Sequence, residues 1–329
     1  MSSIDVIVPC YRYAHFLSQC VESVLSQDVP QIRVLILDDA SPDNTPEVAD
    51  ALAKWDQRVT VVRHAVNMQH IATFNEGIDW ASAKYMLLLS ADDYLTPGAL
   101  SRAVDLMEKH PEVGFTFGRA VELREGDKAG SRELEALARP VGPARILSGN
   151  DYIESNGCSN IVPTPTAVVR TAVQKKVGPY RPTLPHSGDM EMWLRFAARA
   201  GVAQLDSFQA VYRQHDSNMS LAYYSSNRLP DIQHRQAAID SFLHSCGNLL
   251  PDAAGLRVRM YRALSRETVG LASSAFNGDE LAIAKQLCDF ALTLDPSVTR
   301  STTWMKLALK RVVGPTAWRS WRAFRSRDG

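Results

Sequence analysis

The chain has no glycine before Gly77. Dinucleotide-binding and P-loop sites both need glycine directly after the first strand, where backbone must approach phosphate closely. Here that turn reads Pro9-Cys10-Tyr11-Arg12, which argues against a Rossmann oxidoreductase and a Walker-type ATPase. Cysteine is scarce as well. Cys10, Cys20, Cys158, Cys246 and Cys288 are odd in number, far apart and without a C-x-x-C pair, so they suggest neither a disulfide frame nor a zinc site and read as reduced thiols. No apolar run approaches the roughly 18 residues of a membrane span. The start, Met1-Ser2-Ser3-Ile4-Asp5, lacks the basic region and apolar core of a signal peptide, and the expected location is cytoplasmic. Net charge is also missing, with 36 basic against 36 acidic side chains, and no nucleic-acid partner is expected. That zero is a cancellation: residues 300–329 hold eight basic side chains and one acidic, so the rest of the chain is acidic.

What the chain does have is alternation of β-rich runs with amphipathic helical stretches, the pattern of a parallel sheet covered by helices. Strands are expected at Ile4–Val8, Ile32–Leu37, Val59–Arg63 and Tyr85–Leu89, with helices over Phe16–Leu25, Val48–Trp55 (capped by Asn44 or Thr45) and Ile71–Ala81. Pro97-Gly98 opens a further helix to about Lys109. Val113–Phe117 and Ala120–Leu123 read as a strand pair, and Arg124–Pro143 as a mobile loop. Helix is expected near Gly149–Ser155 and at Met190–Ala200, and strand at Pro165–Val169. From about Pro230 the pattern is helical, with a turn at Phe276-Asn277-Gly278-Asp279.

Carboxylates stand where strands end: Asp38-Asp39 closes the second, and Asp92-Asp93 follows the apolar run Met86–Leu89. Either pair alone reads as turn or cap chemistry. Two pairs at the carboxyl ends of neighbouring buried strands face one crevice, where such sheets bind ligands. A divalent cation held by carboxylates is the alternative to a glycine-lined backbone for meeting phosphate charge.

In order along the chain, Val8-Pro9-Cys10-Tyr11, Asp38-Asp39-Ala40-Ser41-Pro42-Asp43-Asn44-Thr45, Asn67 with Asn75-x-Gly77, and Ser90-Ala91-Asp92-Asp93 resemble the successive motifs of family 2 glycosyltransferases. The resemblance runs from about residue 3 to 220 and implies a GT-A fold. It implies that Pro9 and Tyr11 line the nucleotide pocket, and that Asp39 accepts a hydrogen bond from uracil. By the same resemblance, Asp92 holds the ribose or the metal shell, and Asp93 ligates Mg²⁺ or Mn²⁺. Asn67 falls in a donor-contacting segment. The chain departs from the pattern at Ser90, where Asp is common, and at Gln69, where glycine is common.

Ser187-Gly188-Asp189-Met190-Glu191-Met192-Trp193-Leu194-Arg195 resembles the family's acceptor-side stretch, with Asp189 matching the catalytic base and Gly188 replacing a frequent Glu. Inverting transfer needs one carboxylate to take the acceptor proton, and a metal neutralises the leaving diphosphate. As bare helix chemistry, Asp189 reads as an N-cap, Glu191 as a surface residue and Trp193 as core packing. The segment Tyr212-Arg213-Gln214-His215-Asp216-Ser217-Asn218-Met219-Ser220 resembles the end of the family's catalytic domain, which implies Arg213 near phosphate and His215 in the metal shell.

The resulting reading is an α/β GT-A domain over 1–228, with a nucleotide-binding half at 1–95 and an acceptor-binding half at 96–228. A helical appendage follows at 229–299 and a basic, aromatic, amphipathic tail at 300–329. In the tail, Trp304, Leu307, Ala308 and Val312 share one helical face, and Trp318, Trp321 and Phe324 interleave with Arg319, Arg322 and Arg325. Such a pattern suits an anionic membrane surface at the inner face of the cell best, with docking onto the acidic body of the protein or a disordered solubilising end as the alternatives. The expected activity is inverting transfer from a UDP-linked sugar to a glycan or lipid-linked acceptor. The alternatives are a sugar nucleotidyltransferase, which needs a glycine-rich basic loop that this chain lacks, and a degenerate, non-catalytic binding module.

Overall fold

The computed structural model describes residues 2–124, 127, 130–156, 158–216, 218 and 228–318. The chain divides into two compact units, Met1–Asn218 and Met219–Gly329.

The first unit opens with β1 (Ser3–Cys10), α1 (Ala14–Leu25), β2 (Gln31–Asp38), α2 (Thr45–Trp55), β3 (Val59–Arg63), α3 (His70–Trp80) and β4 (Tyr85–Leu88). It continues with β5 (Tyr94–Leu95), α4 (Ala99–Lys109), β6 (Val113–Arg124), α5 (Ser131–Ala138), β7 (Arg145–Leu147) and α6 (Gly149–Asn156). A 3-10 turn at Thr164–Thr166, β8 (Val168–Arg170), α7 (Thr171–Val177), α8 (Gly188–Ala197) and β9 (Gly201–Gln214) complete it. One nine-stranded sheet runs β3-β2-β1-β4-β8-β6-β9-β5, with β7 beside β9. The strands β3, β2, β1 and β4 are mutually parallel, and β8 runs against both β4 and β6.

Helices cover both faces. Val6, Val8, Val34 and Ile36 pack with Leu17, Val21 and Val24 of α1 and with Leu100 and Val104 of α4. On the other face α3 lies so close to β1 that a Cβ on Gly77 would stand 2.3 Å from Ile7 Cγ2. The chain's first glycine therefore serves helix–strand packing. The parallel strands deliver their polar exits, Pro9–Arg12, Asp38–Ser41 and Ser90–Asp93, to one edge of the sheet.

Four local expectations are corrected. The stretch 113–124 is one strand, paired in parallel with β9 through three register shifts, and not a strand pair. The segment 124–143 contains α5, with Leu134 and Ala138 buried, although residues 125–126 and 128–129 lie outside the described residues. Helix α2 is not capped by the side chain of Asn44 or Thr45. Asp43 does that work, accepting from Thr45 N–H at 3.2 Å and Thr45 Oγ1 at 2.6 Å while its other oxygen accepts from Ala14 N–H at the start of α1. One carboxylate thus anchors two helix N-termini. Finally, α7 and β9 stand where no element was expected.

The second unit is helical in its described residues: α9 (Leu229–Cys246), α10 (Ala253–Asn277), α11 (Leu281–Leu294) and α12 (Thr302–Val313). Val269, Ala272 and Phe276 of α10 meet Leu287, Cys288 and Ala291 of α11, and Leu307 of α12 joins that core with Trp304 and Trp318 packed beside it. Trp318 Nε1 donates to Asn277 Oδ1 at 3.0 Å, and Lys310 Nζ reaches Ser273 and Asn277. Val312 leaves the face assigned to it: it is 85% exposed and forms an outer stripe with Met305 and Leu309. The expected basic-aromatic residues Arg319, Trp321, Arg322, Phe324 and Arg325 lie outside the described residues, as do Ser217, Met219 and Ser220. No helix among the described residues is long and apolar enough to cross a membrane.

Candidate functional site

The β1, β2 and β4 exits are interlocked by backbone. Asp39 N–H donates to Cys10 O at 3.0 Å, and Ala91 N–H donates to Pro9 O at 3.2 Å. Three residues near these exits sit at positive φ without being glycine: Arg12 (65°), Ala40 (57°) and Gln69 (69°). Each costs about 1 kcal/mol or more in a non-glycine residue, and such strain collects at functional sites. Gln69, with ψ 153°, lies in a region that glycine alone occupies readily.

Asp92 and Asp93 are both buried, at 7% and 3% exposure. Asp93 Oδ1 accepts from Arg213 N–H at 3.0 Å, and Asp92 Oδ2 stands 3.1 Å from His215 Nε2. Asp92 Oδ1 is buried and has no hydrogen-bond partner among the described residues. Burial, followed by the charge of Asp92, holds the Asp93 carboxyl well above the usual carboxylate range. The Arg213 guanidinium bonds Asp92 O and Gln19 Oε1 and lies over the rings of Phe16 and Tyr94, 4.5 and 4.6 Å from their centroids. His215 meets Tyr13 edge-on at 5.3 Å and Phe16 at 5.6 Å. Asn218 accepts from His215 N–H and donates to Arg213 O at 3.1 Å, closing the turn after β9. The structure therefore brings four expected residues, Asp92, Asp93, Arg213 and His215, into one cluster.

Asp39, at 4% exposure, is the nearby carboxylate of the β2 exit. Its Oδ1 accepts from Met68 N–H at 2.6 Å and meets His64 Nδ1 at 2.7 Å. Tyr11 is 40% exposed and Met68 50%, which leaves apolar surface open beside this carboxylate. Asn67 accepts from Gln69 N–H and Gln69 Nε2, both at 2.9 Å, and so shapes its own turn. Asn75 bonds Tyr180 in both directions, through Tyr180 N–H at 2.7 Å and Tyr180 O at 2.9 Å, tying α3 to the loop before α8.

Asp189 lies in the first turn of α8, whose N-cap position is Ser187, so the expected cap role is corrected. Its Oδ2 accepts from Thr164 Oγ1 at 2.9 Å. Burial pushes the Asp189 carboxyl up, against hydrogen bonds from Thr164 and Tyr180 and the charges of His70 and His186 that pull it down, and the net direction is upward. Glu191 is not a surface residue. It is fully buried, with Oε1 2.6 Å from Arg181 Nε and Oε2 2.7 Å from Arg195 Nε, and so has no oxygen left for chemistry. Trp193 is core, stacked on Phe115 at 5.1 Å.

Sequence reasoning missed Tyr13, Phe16, Gln19, His64, Tyr94, Thr164 and Tyr180. Tyr13 at the N-cap of α1 and Phe16 and Gln19 within it recur at helical spacing, which was the one available signal; the others carry none. For a divalent cation, the orphaned Asp92 Oδ1 and the adjacent imidazole and carboxylate are a suitable donor set, the imidazole favouring Mn²⁺ over Mg²⁺. Among the described residues no three His, Cys, Asp or Glu side chains converge to hold an ion by themselves. Phosphate oxygens of a ligand would have to complete the shell.

Residues 5–171 match the family model described as "Glycosyl transferase family 2", just over half of the chain. That stretch contains Pro9, Tyr11, Asp39, Asn67, Asp92 and Asp93 and ends before Asp189, Arg213 and His215. An uncharacterized glycosyltransferase of Haemophilus influenzae is 21% identical over 245 residues, 74% of this chain and 75% of that one. Three further relatives are matched over only 28%, 31% and 30% of their own length. Among solved structures, S. aureus TarS 1–349 in complex with UDP-GlcNAc superposes with TM-score 0.56 at 16% identity, covering 91% of this chain and 92% of that one. The mannosyltransferase PcManGT from Pyrobaculum calidifontis in complex with GDP-Man and Mn²⁺ gives TM-score 0.55 at 17% identity, covering 94% and 86%. At these identities the likeness concerns the fold.

Proposed function

The chain belongs to glycosyl transferase family 2, and from that premise we propose that it is an inverting glycosyltransferase moving a sugar from a UDP-linked donor to a hydroxyl of a glycan or lipid-linked acceptor. The observation that carries this reading is the gathering of Asp92, Asp93, Arg213 and His215 at the strand exits, with the buried Asp92 Oδ1 unpartnered. A buried carboxylate oxygen without a partner is costly unless a ligand satisfies it, and a phosphate-bound cation is such a ligand. When bound, Mg²⁺ or Mn²⁺ would supply charge neutralisation of the leaving diphosphate, and Asp92, Asp93 and His215 would hold it. Pro9 and Tyr11 border the base, which Asp39 reads through a hydrogen bond. Asn67 sets the turn that carries Met68. Arg213, fixed over Phe16 and Tyr94, offers positive charge to the diphosphate.

Asp189 takes the proton of the acceptor hydroxyl as the new bond forms. Burial raises its basicity towards what a general base needs, while Thr164 keeps one oxygen oriented. The outer stripe Met305, Leu309 and Val312 of α12, with Lys306, Arg311 and the basic residues beyond 318, supports contact with an anionic membrane surface.

A thermal-shift panel of UDP, UDP-sugars, GDP-mannose and CTP, each with and without Mn²⁺, tests the donor assignment, because a ligand of the folded state raises the melting point. Stabilisation by a uridine diphosphate that requires the metal supports it. Stabilisation by CTP, with pyrophosphate release, would favour a nucleotidyltransferase, and no stabilisation by any of them would favour a non-catalytic module.

A further inference from the structure

His64 follows β3 directly and its side chain is only 9% exposed. Nδ1 stands 2.7 Å from Asp39 Oδ1, and Nε2 stands 2.7 Å from Glu76 Oε2 on α3. A carboxylate only accepts hydrogen bonds, and a neutral imidazole has a single donor, so one ring nitrogen would turn a lone pair onto a carboxylate oxygen. The imidazolium donates at both nitrogens and fits the geometry without conflict. Asp39 Oδ1 also accepts Met68 N–H at 2.6 Å, so this oxygen is held from two loops at once. No partner reaches Asp39 Oδ2 among the described residues.

We propose that His64 is a positioning residue for nucleobase recognition: bridging Asp39 and Glu76, it clamps the Asp39 carboxylate so that Oδ2 is presented as a fixed acceptor to a ring N–H of the donor's base. The inference rests on the nucleotide-sugar reading and deepens it. Uracil N3–H and guanine N1–H satisfy such an acceptor. Cytosine, whose N3 is itself an acceptor, leaves the carboxylate facing a lone pair. A site built around a buried acceptor discriminates strongly against a partner that leaves it unpaired.

The bridge also carries a pH dependence. Burial lowers the His64 pKa, the hydrogen bonds and charges of Asp39 and Glu76 raise it, and the net direction is upward. Those two carboxylates are the charged groups that face the ring. The neighbouring Arg63 on β3 pairs with Asp50 of α2 at 2.7 Å. Because the folded pKa is raised, the clamp is complete below the ordinary histidine value and is lost as pH rises through the folded value. Donor affinity falls over that same window.

The test is calorimetric titration of UDP, GDP and CDP with Mn²⁺ into the full chain across pH 5.5–9 (about the histidine range), for wild type, His64→Phe and Glu76→Gln, with melting points as a check on folding. For His64→Phe, the Kd for the preferred N–H base rises about tenfold, the Kd for CDP stays the same, and the pH dependence flattens. Glu76→Gln keeps the affinity at low pH but moves the midpoint of the pH profile downward, which a purely structural role would not do. A folded His64→Phe protein with wild-type base preference and pH profile overturns the inference and leaves the donor site standing. A wild-type protein that binds none of the three nucleotides overturns the nucleotide-sugar reading, and the inference with it.

Discussion

Replacing Asp189 by Asn removes the proposed base while preserving shape, so the structure predicts both what is lost and what is gained. Loss of a positioned general base lowers kcat by about 10²–10⁴. Donor affinity is unchanged, because Asp189 bonds Thr164 and Tyr180 and not the residues assigned to the nucleotide. The gain is stability. The folded pKa of Asp189 lies above its unfolded value, so at neutral pH the ionised side chain is disfavoured in the folded state. Asn carries no charge and raises the melting point, a gain of about 1 kcal/mol, as expected where an active-site residue opposes stability. The advantage disappears below the unfolded carboxylate value, where Asp189 is protonated in both states. A companion substitution, Thr164→Val, removes a hydrogen bond to the charged form. Such bonds contribute about 1.5–3 kcal/mol when buried, and about 1.4 kcal/mol corresponds to one pH unit of titration. With Asp189 only partly buried, the acid limb of the kcat profile moves up by about one pH unit. The assays are steady-state transfer across pH and thermal melts. An Asp189→Asn protein with normal kcat, or a Thr164→Val profile superposable on wild type, would refute the reasoning.

Glu191→Gln leaves the buried Arg195 guanidinium without its counter-charge, a cost of about 3–5 kcal/mol, read as a lower urea midpoint with unchanged slope. Gln69→Gly relieves a left-handed residue at φ 69° and raises stability by about 1 kcal/mol in a thermal melt, despite losing the bond to Asn67. A chain ending at Trp318 keeps Leu307, Trp304 and Trp318 in the helical core and melts with the full chain, yet co-sediments with anionic vesicles more weakly, since it keeps the stripe of Met305, Leu309 and Val312 but loses the basic residues beyond 318. Undiminished sedimentation would show that the residues beyond 318 take no part in membrane contact.

The alternation of apolar runs and amphipathic stretches was enough to expect β1–β4 and α1–α4 within a few residues, though not the short β5, because buried parallel strands and their covering helices are written in local periodicity. Beyond residue 110 it still found the helices at Gly149–Asn156 and Gly188–Ala197 and the helical second unit, but it failed at β6, α5, α7 and β9. There β6 and β9 pair across about 90 residues of chain through bulges, and such pairing has no local signature. Glu191 shows the same limit. Its sequence setting is an ordinary first helical turn, and only the approach of Arg181 and Arg195 makes it a buried structural charge.

By itself, the sequence determined the class of chemistry. The absence of early glycine ruled against backbone cradles for phosphate, and the carboxylate pairs at strand ends pointed to a cation instead. Tertiary structure decided the partners, since a carboxylate's role depends on which donors reach it. Asp93 meets the backbone of Arg213 across 120 positions, Asp92 meets His215 across 123, and Asp39 meets His64 across 25. Hydrogen bonds act over about 3 Å of space regardless of separation along the chain, so only the folded arrangement distinguishes the unpartnered oxygen of Asp92 from the saturated ones of Glu191.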